Sequence, residues 1–265
     1  MVVSRGSMDL SRRDGAMAPE SVAQDRDTIL ADCERVISRY HERGDGAMVQ
    51  IALAPCTPFT ASRELMTQTA ALARREGCRL HTHLAETRDE VAYCASRFGC
   101  RPVDYLEDVG WMGPDVWVAH GIHFNDAEIE RLGRSEIGVC HCPTSNMVLA
   151  SGQCRTRELE AAGVTIGLGV DGSASNDSSN LMESARHALF VNRLTYDATV
   201  THLDVLRWAS EGSARCLGRR DIGAIAVGRH ADLAFYTLDE LRFLARATRS
   251  QRLFFAALTA PTGSW

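Results

Sequence analysis

Long apolar runs are missing from this 265-residue chain: nowhere do about 18 apolar residues follow one another, so no segment offers itself as a bilayer-spanning helix. An excess of positive charge is missing too. Lys and Arg number 29 against 34 Asp and Glu, for a formal net charge of -5 and a pI near 6.0. With no polybasic run either, neither a nucleic acid nor a membrane surface is an expected partner, and a small molecule is the default. The nine cysteines form an odd set without a single CxxC, and the chain starts without the apolar core of a signal peptide. Reduced thiols in the cytoplasm are the expectation. Cys140 and Cys142 flank His141 in "VCHCPT" but lack the loop spacing of a structural zinc site, and they read as buried strand cysteines. Internal repeats, low-complexity tracts and long linkers are absent as well.

What is present is an ordinary globular composition. At 29.0 kDa, with 45% hydrophobic and 24% charged residues, the chain is long enough for one large α/β domain, or one domain with part of another. Short β-rich runs alternate with longer helical ones, the pattern of βα units around a parallel sheet. The runs "MVQIALAPC", "RLHTHLAE", "VWVAHG", "IGVCHCPT" and "VTIGLGVDG" read as strands separated by helices. One intervening helix, "SRELMTQTAALARREGC", opens on Ser62 as N-cap with Glu64 in its first turn. The strands end near Cys56, Glu86, His120, His141 and Asp171. Titratable groups in succession at strand carboxyl ends fit a (β/α) barrel, whose active site lies on that edge. Past residue 200 the texture changes to a helix, a Gly-punctuated turn and two short strands, and the last 20 or so residues lack a clear period.

"RLHTHLAETRDEV" concentrates the chemistry. His81 and His83, two apart on a strand, point to the same face, and Glu86 reaches over the strand's end. Alone, such a cluster proves little.

Taken with "HTHLAET", the stretches "VWVAHG", "HCPTSNMVLASG", "GLGVDGSASND" and "DIGAIAVGRHADL" run in the order of a known family. The chain resembles the amidohydrolase superfamily, in its cytosine deaminase, guanine deaminase and triazine hydrolase branch. "SRGSM", "APCTPFTASRELM" and "VDGSASNDSSN" are similar to the bacterial 8-oxoguanine deaminases within it. The fold implied is α/β: a (β/α)8 TIM-type barrel, represented by about strands 3 to 8, over residues 1–215. Part of a small β-sandwich with an atypical tail follows over 216–265.

The resemblance implies hydrolytic deamination of an amino-substituted N-heterocycle, with 8-oxoguanine, giving urate and ammonia, as the first choice. A triazine, pterin, guanine or cytosine is the alternative, and a non-catalytic remnant is the rival of another class. His83 would be the fifth-strand metal ligand and Glu86 the proton shuttle to the ring nitrogen. His120 would orient the attacking water. Asp171 would ligate the metal and act as general base, and His141 would lie in the substrate-facing region. The implied cofactor is one divalent metal, zinc or else iron(II), and the intact enzyme is expected to be a homo-oligomer. Bound zinc brings the pKa of its water to about 7, which explains why this chemistry uses a metal.

Other features read as structural. His81 is expected to be a hydrogen-bonded core histidine, His41, His123, His187, His202 and His230 are expected on surfaces or helices, and Asn176 or Asp177 is expected to cap the helix that follows. The family also takes two metal ligands from a first-strand HxH. The HxH here precedes His120 by one βα unit and Asp171 by three, which is fifth-strand spacing. About two βα units and the start of the sandwich are therefore expected to be missing, with weak or no activity for this polypeptide alone.

Overall fold

The computed structural model of the chain describes residues 1–238, 248–251 and 263–264. Six parallel strands form one sheet: β1 (Val2–Ser7), β2 (Gln50–Pro55), β3 (Arg79–Leu84), β4 (Val116–His120), β5 (Gly138–His141) and β6 (Thr165–Leu168). Each pairs with its sequence neighbour, in the spatial order β1-β2-β3-β4-β5-β6. Unbroken sequential order is that of a barrel wall, since a doubly wound sheet reverses direction at a switch point.

The helices lie between the strands: α1 (Arg26–Tyr40), α2 (Arg63–Glu76), α3 (Arg88–Phe98), α4 (Pro102–Asp108), α5 (Asp126–Arg134), α6 (Pro143–Val148), α7 (Thr156–Ala161) and α8 (Leu181–Tyr196). Helix α2 shows how local sequence sets these bounds. The Ser62 hydroxyl accepts from the Leu65 N–H at its start, and at its end Gly77 takes a left-handed φ of 71° and donates to Ala73 and Arg74 carbonyls. Its inner stripe, Leu65, Met66, Thr69, Ala70, Leu72 and Ala73, is buried. Helix α8 is capped by Asn180, which accepts from the Met182 and Glu183 N–H groups. The expected caps Asn176 and Asp177 lie too far upstream. The Asn176 amide instead donates to the Val170 carbonyl and to Ser184, tying the loop after β6 to the helix.

Strand alternation separates two faces. In β3, Leu80, Thr82 and Leu84 are buried, and both leucines join the core beneath the helices together with Val116, Val118, Val139 and Ile166. Arg79, His81 and His83 point to the other face, where Trp117, Ala52 and Cys216 pack. Strand pairing sets His81 beside Trp117 and His83 beside Ala119. The His81 ring stacks on Trp117 with centroids 4.7 Å apart and bonds the Trp117 carbonyl through Nδ1 at 3.2 Å, so it is hydrogen-bonded as expected but half-buried on the inner face and not in the core.

After β6 the chain forms α9 (His202–Arg207), a π-helical turn over Trp208–Gly212 and α10 (Ser213–Cys216). A two-residue strand, β7 (Ala234–Phe235), pairs antiparallel with β8 (Gly263–Ser264). Of the two short strands expected after residue 200, β7 is the one inside that stretch, and most of the tail lies outside the described residues. Among the described residues no helix is long and apolar enough to cross a membrane.

Candidate metal centre

Three strand exits of one sheet edge bring the ionisable groups together. His83 is the fifth residue of β3, His120 ends β4, and Asp171 stands three residues past β6. The turns there are tight: Ala85, His120 and Asp171 have φ of 52°, 75° and 66°, left-handed values at non-glycine residues. The ligand atoms of His83, His120 and Asp171 all lie within 4.8 Å of one another. His83 Nε2 is 3.9 Å from Asp171 Oδ1, and His120 Nε2 is 3.8 Å from Asp171 Oδ2 and 3.5 Å from Glu86 Oε2. The site residues Glu86, His83, His120 and Asp171 thus converge. His141 stands apart, ending β5, fully buried, with neither ring nitrogen bonded among the described residues.

His83 and Asp171 offer a nitrogen and an oxygen donor of the kinds that zinc or iron(II) takes, with His120 in the same cluster. His120 Nε2 is buried without a partner and faces the gap between the carboxylates. The residues therefore fit a divalent metal.

The electrostatics split the two carboxylates. Burial, and after it the charge of Asp171, raises the Glu86 carboxyl above its usual range. Burial works the same way on Asp171 but is outweighed by the Ser145 hydroxyl and the neighbouring imidazoles, which hold it below its usual range. The two carboxyls are thus pushed in opposite directions, Glu86 up and Asp171 down. Burial lowers His120 to about 4, with the His83 charge adding to it, and lowers His141 to about 3. His83 goes the other way: burial disfavours its charge, but Cys56 and Asp171 raise it to about 9.

Behind this centre stands a layer that inspection of the sequence passed over. Ser145 donates to Asp171 Oδ2 at 2.5 Å and shares a 2.7 Å hydrogen bond with Ser175. The Asn146 amide nitrogen meets His120 Nδ1 at 3.0 Å. The buried Glu90 carboxylate accepts from the Ala85 N–H at 2.6 Å and the Glu86 N–H at 3.2 Å, clasping the turn that aims Glu86. The signal was available in the polar run of "HCPTSN" and in a glutamate one helical turn after Glu86.

The amidohydrolase family model matches residues 1–258. The chain belongs to the amidohydrolase family. Among curated amidohydrolase relatives, it is 60% identical over 243 residues to an 8-oxoguanine deaminase of Pseudomonas aeruginosa, covering 91% of this chain and 54% of that protein. It is 41% identical over 244 residues to a hydroxydechloroatrazine ethylaminohydrolase of Pseudomonas sp. strain ADP, covering 91% and 50%. An atrazine chlorohydrolase of Arthrobacter aurescens crystallised with zinc superposes with a TM-score of 0.92 at 31% identity, over 98% of this chain and 58% of that one. The chain spans about half the length of the curated relatives it matches. The sheet described above is accordingly a partial amidohydrolase barrel.

Proposed function

We propose that this chain carries part of the active site of a metal-dependent aminohydrolase acting on an amino-substituted N-heterocycle, with 8-oxoguanine, converted to urate and ammonia, as the substrate. The observation that carries the reading is the meeting of His83, Glu86, His120 and Asp171 at one sheet edge. The 60% identity to a protein named 8-oxoguanine deaminase supports the choice of ring. A triazine is the second choice, supported by the 41% identical ethylaminohydrolase.

In this proposal His83 and Asp171 would hold the metal, zinc before iron(II), whose Lewis acidity would make water a nucleophile at neutral pH. His120 holds the water's orientation by a hydrogen bond from Nε2. Asp171 takes the water's proton and returns it to the departing amine. Glu86, kept protonated more readily by burial, delivers its proton to the ring nitrogen, so the tetrahedral carbon forms without a negative charge on the ring. His141 is assigned to the substrate side, supported by its two unpartnered ring nitrogens. A homo-oligomeric, cytoplasmic enzyme completes the reading; the exposed Met147, Val148 and Leu149 after β5 and Leu194 of α8 support association between copies.

The test is ammonia release from 8-oxoguanine after zinc loading, measured on this chain and on a version extended by an N-terminal segment bearing an HxH. Release that Glu86→Gln abolishes is the expected result. Release from a triazine and none from 8-oxoguanine would move the substrate, and release from no ring by either protein would overturn the proposal.

A further inference from the structure

The two imidazoles of the centre have opposite partners behind them. His83 Nδ1 lies 2.7 Å from the Cys56 carbonyl oxygen. A carbonyl only accepts, so Nδ1 carries a proton and, in the neutral ring, Nε2 presents its lone pair toward Asp171. His120 Nδ1 lies 3.0 Å from the side-chain amide nitrogen of Asn146. An amide NH2 only donates, so this Nδ1 must be the bare nitrogen, since a proton there would face another N–H. The His120 proton therefore sits on Nε2, which is buried and faces Glu86 Oε2 and Asp171 Oδ2 at 3.5 and 3.8 Å.

The Asn146 side chain is well placed to impose this. It is 1% exposed, and its backbone is pinned on both sides: its N–H donates to the Cys142 carbonyl and its carbonyl accepts from the Ser151 N–H. Its side-chain oxygen has no partner among the described residues, so the bond to His120 is what the amide contributes.

We propose that Asn146 is a positioning residue that fixes His120 in its Nε2–H form, so that His120 donates a hydrogen bond into the centre and does not ligate the metal there. Two rings 5.3 Å apart are thereby given different work by their back-side neighbours: His83 ligates and His120 donates. The tautomer assignment stands on the geometry alone, and the division of work between the two rings rests on the metal-site reading.

The first readout needs no metal. Long-range nitrogen–proton NMR of the histidine rings, on the 15N-histidine-labelled 265-residue chain at a pH where the ring is neutral, distinguishes the two tautomers, and loss of a signal in His120→Gln identifies the ring. The expected pattern is Nε2–H in the parent. In Asn146→Asp a carboxylate that only accepts draws the proton to Nδ1, and in Asn146→Leu, which has the bulk but no polar atom, the two forms mix. Parent His120 carrying its proton on Nδ1, or a pattern unmoved in both variants, overturns the proposal. The second readout is Co2+ titration followed by visible absorption. Asn146→Asp frees the His120 Nε2 lone pair and is expected to tighten Co2+ binding about tenfold with a changed band shape; equal affinity and identical bands would count against it. A parent chain that takes up no Co2+ would overturn the metal-site reading and leave the NMR pattern to decide the tautomer.

Discussion

The two edges of the same six-stranded sheet are built to opposite ends. At the carboxyl edge three non-glycine residues hold left-handed backbone, two carboxylates share a pocket with two imidazoles, and His120 Nε2 is left without a partner. At the amino edge charges are matched. Arg74 pairs with Asp115 at 3.0 Å, Arg219 with Asp221 at 2.6 Å, and the Arg79 guanidinium bonds the Cys216 carbonyl at 2.8 Å. Left-handed or otherwise strained residues cost roughly 1–3 kcal/mol each and persist only where their surroundings impose them. The layer that imposes them here consists of Ser145, Asn146 and Glu90, all buried. Stability is thus drawn from one edge and from the core, and the other edge uses it.

The largest effect that tests this division is at the strained edge. Asp171→Asn removes the one carboxylate that both imidazoles face, and metal affinity in a Co2+ titration should fall by more than the 10–100-fold typical of losing a supporting hydrogen bond. The thermal midpoint of the metal-free protein should fall only slightly, because the Ser145 hydroxyl and the imidazoles favour the Asp171 charge a little more than its partial burial disfavours it. A clear drop would mean that Asp171 is structural. The reverse case is Leu80→Ala, fully buried in the core between the edges. Its cavity should cost about 2–5 kcal/mol in denaturant unfolding, while metal affinity of the folded protein holds.

Glu90 joins the two concerns, and its pH dependence separates them. Burial raises its carboxyl to about 7 from the usual 4.5, against the two N–H groups that favour its charge. As pH rises through this window the unfolded chain ionises first, so the unfolded state binds fewer protons and stability falls with pH. The fall amounts to about 3 kcal/mol between pH 4.5 and 7, complete above the folded value. Urea unfolding of Glu90→Gln should lose that slope. Because an amide cannot accept from both N–H groups, the variant should also loosen the turn that aims Glu86. An unchanged pH profile would place the slope elsewhere.

The fold was legible in the sequence for the reason that the edges differ. Strands as buried as β2 and β4 read as short apolar runs, and the residues at the strand exits, Glu86, His120 and Asp171, broke the apolar pattern with groups that a core does not tolerate unpaired. The Ser62 cap was legible because capping is local. Asn180 was missed as the cap of α8 because Asn176, Asp177 and Asn180 are equivalent in composition, and only the path of the loop after β6 decides among them. The supporting layer was hidden for the same reason. Asn146 and His120 are 26 residues apart in sequence and on different βα units, so their contact is a property of the barrel and leaves no periodic trace.

The smallest effect sharpens the comparison most, because the same backbone strain occurs at both edges. Glu136 precedes β5 at the amino edge, is exposed and has φ of 55°, its N–H bonded to the Gly133 carbonyl. Glycine adopts that conformation without a Cβ clash, so Glu136→Gly should gain about 1 kcal/mol, less its greater unfolded entropy. Differential scanning should show the midpoint rising by roughly 2–4 °C, and Co2+ affinity should not change. Ala85→Gly relieves a similar φ of 52° at the carboxyl edge, in the turn that Glu90 clasps. There the freed backbone should lower the share of chains in which Glu86 faces His120, so any stability gained comes with weaker function. If both substitutions prove equally silent toward metal and substrate, the strain at the carboxyl edge is incidental and the contrast between the edges fails.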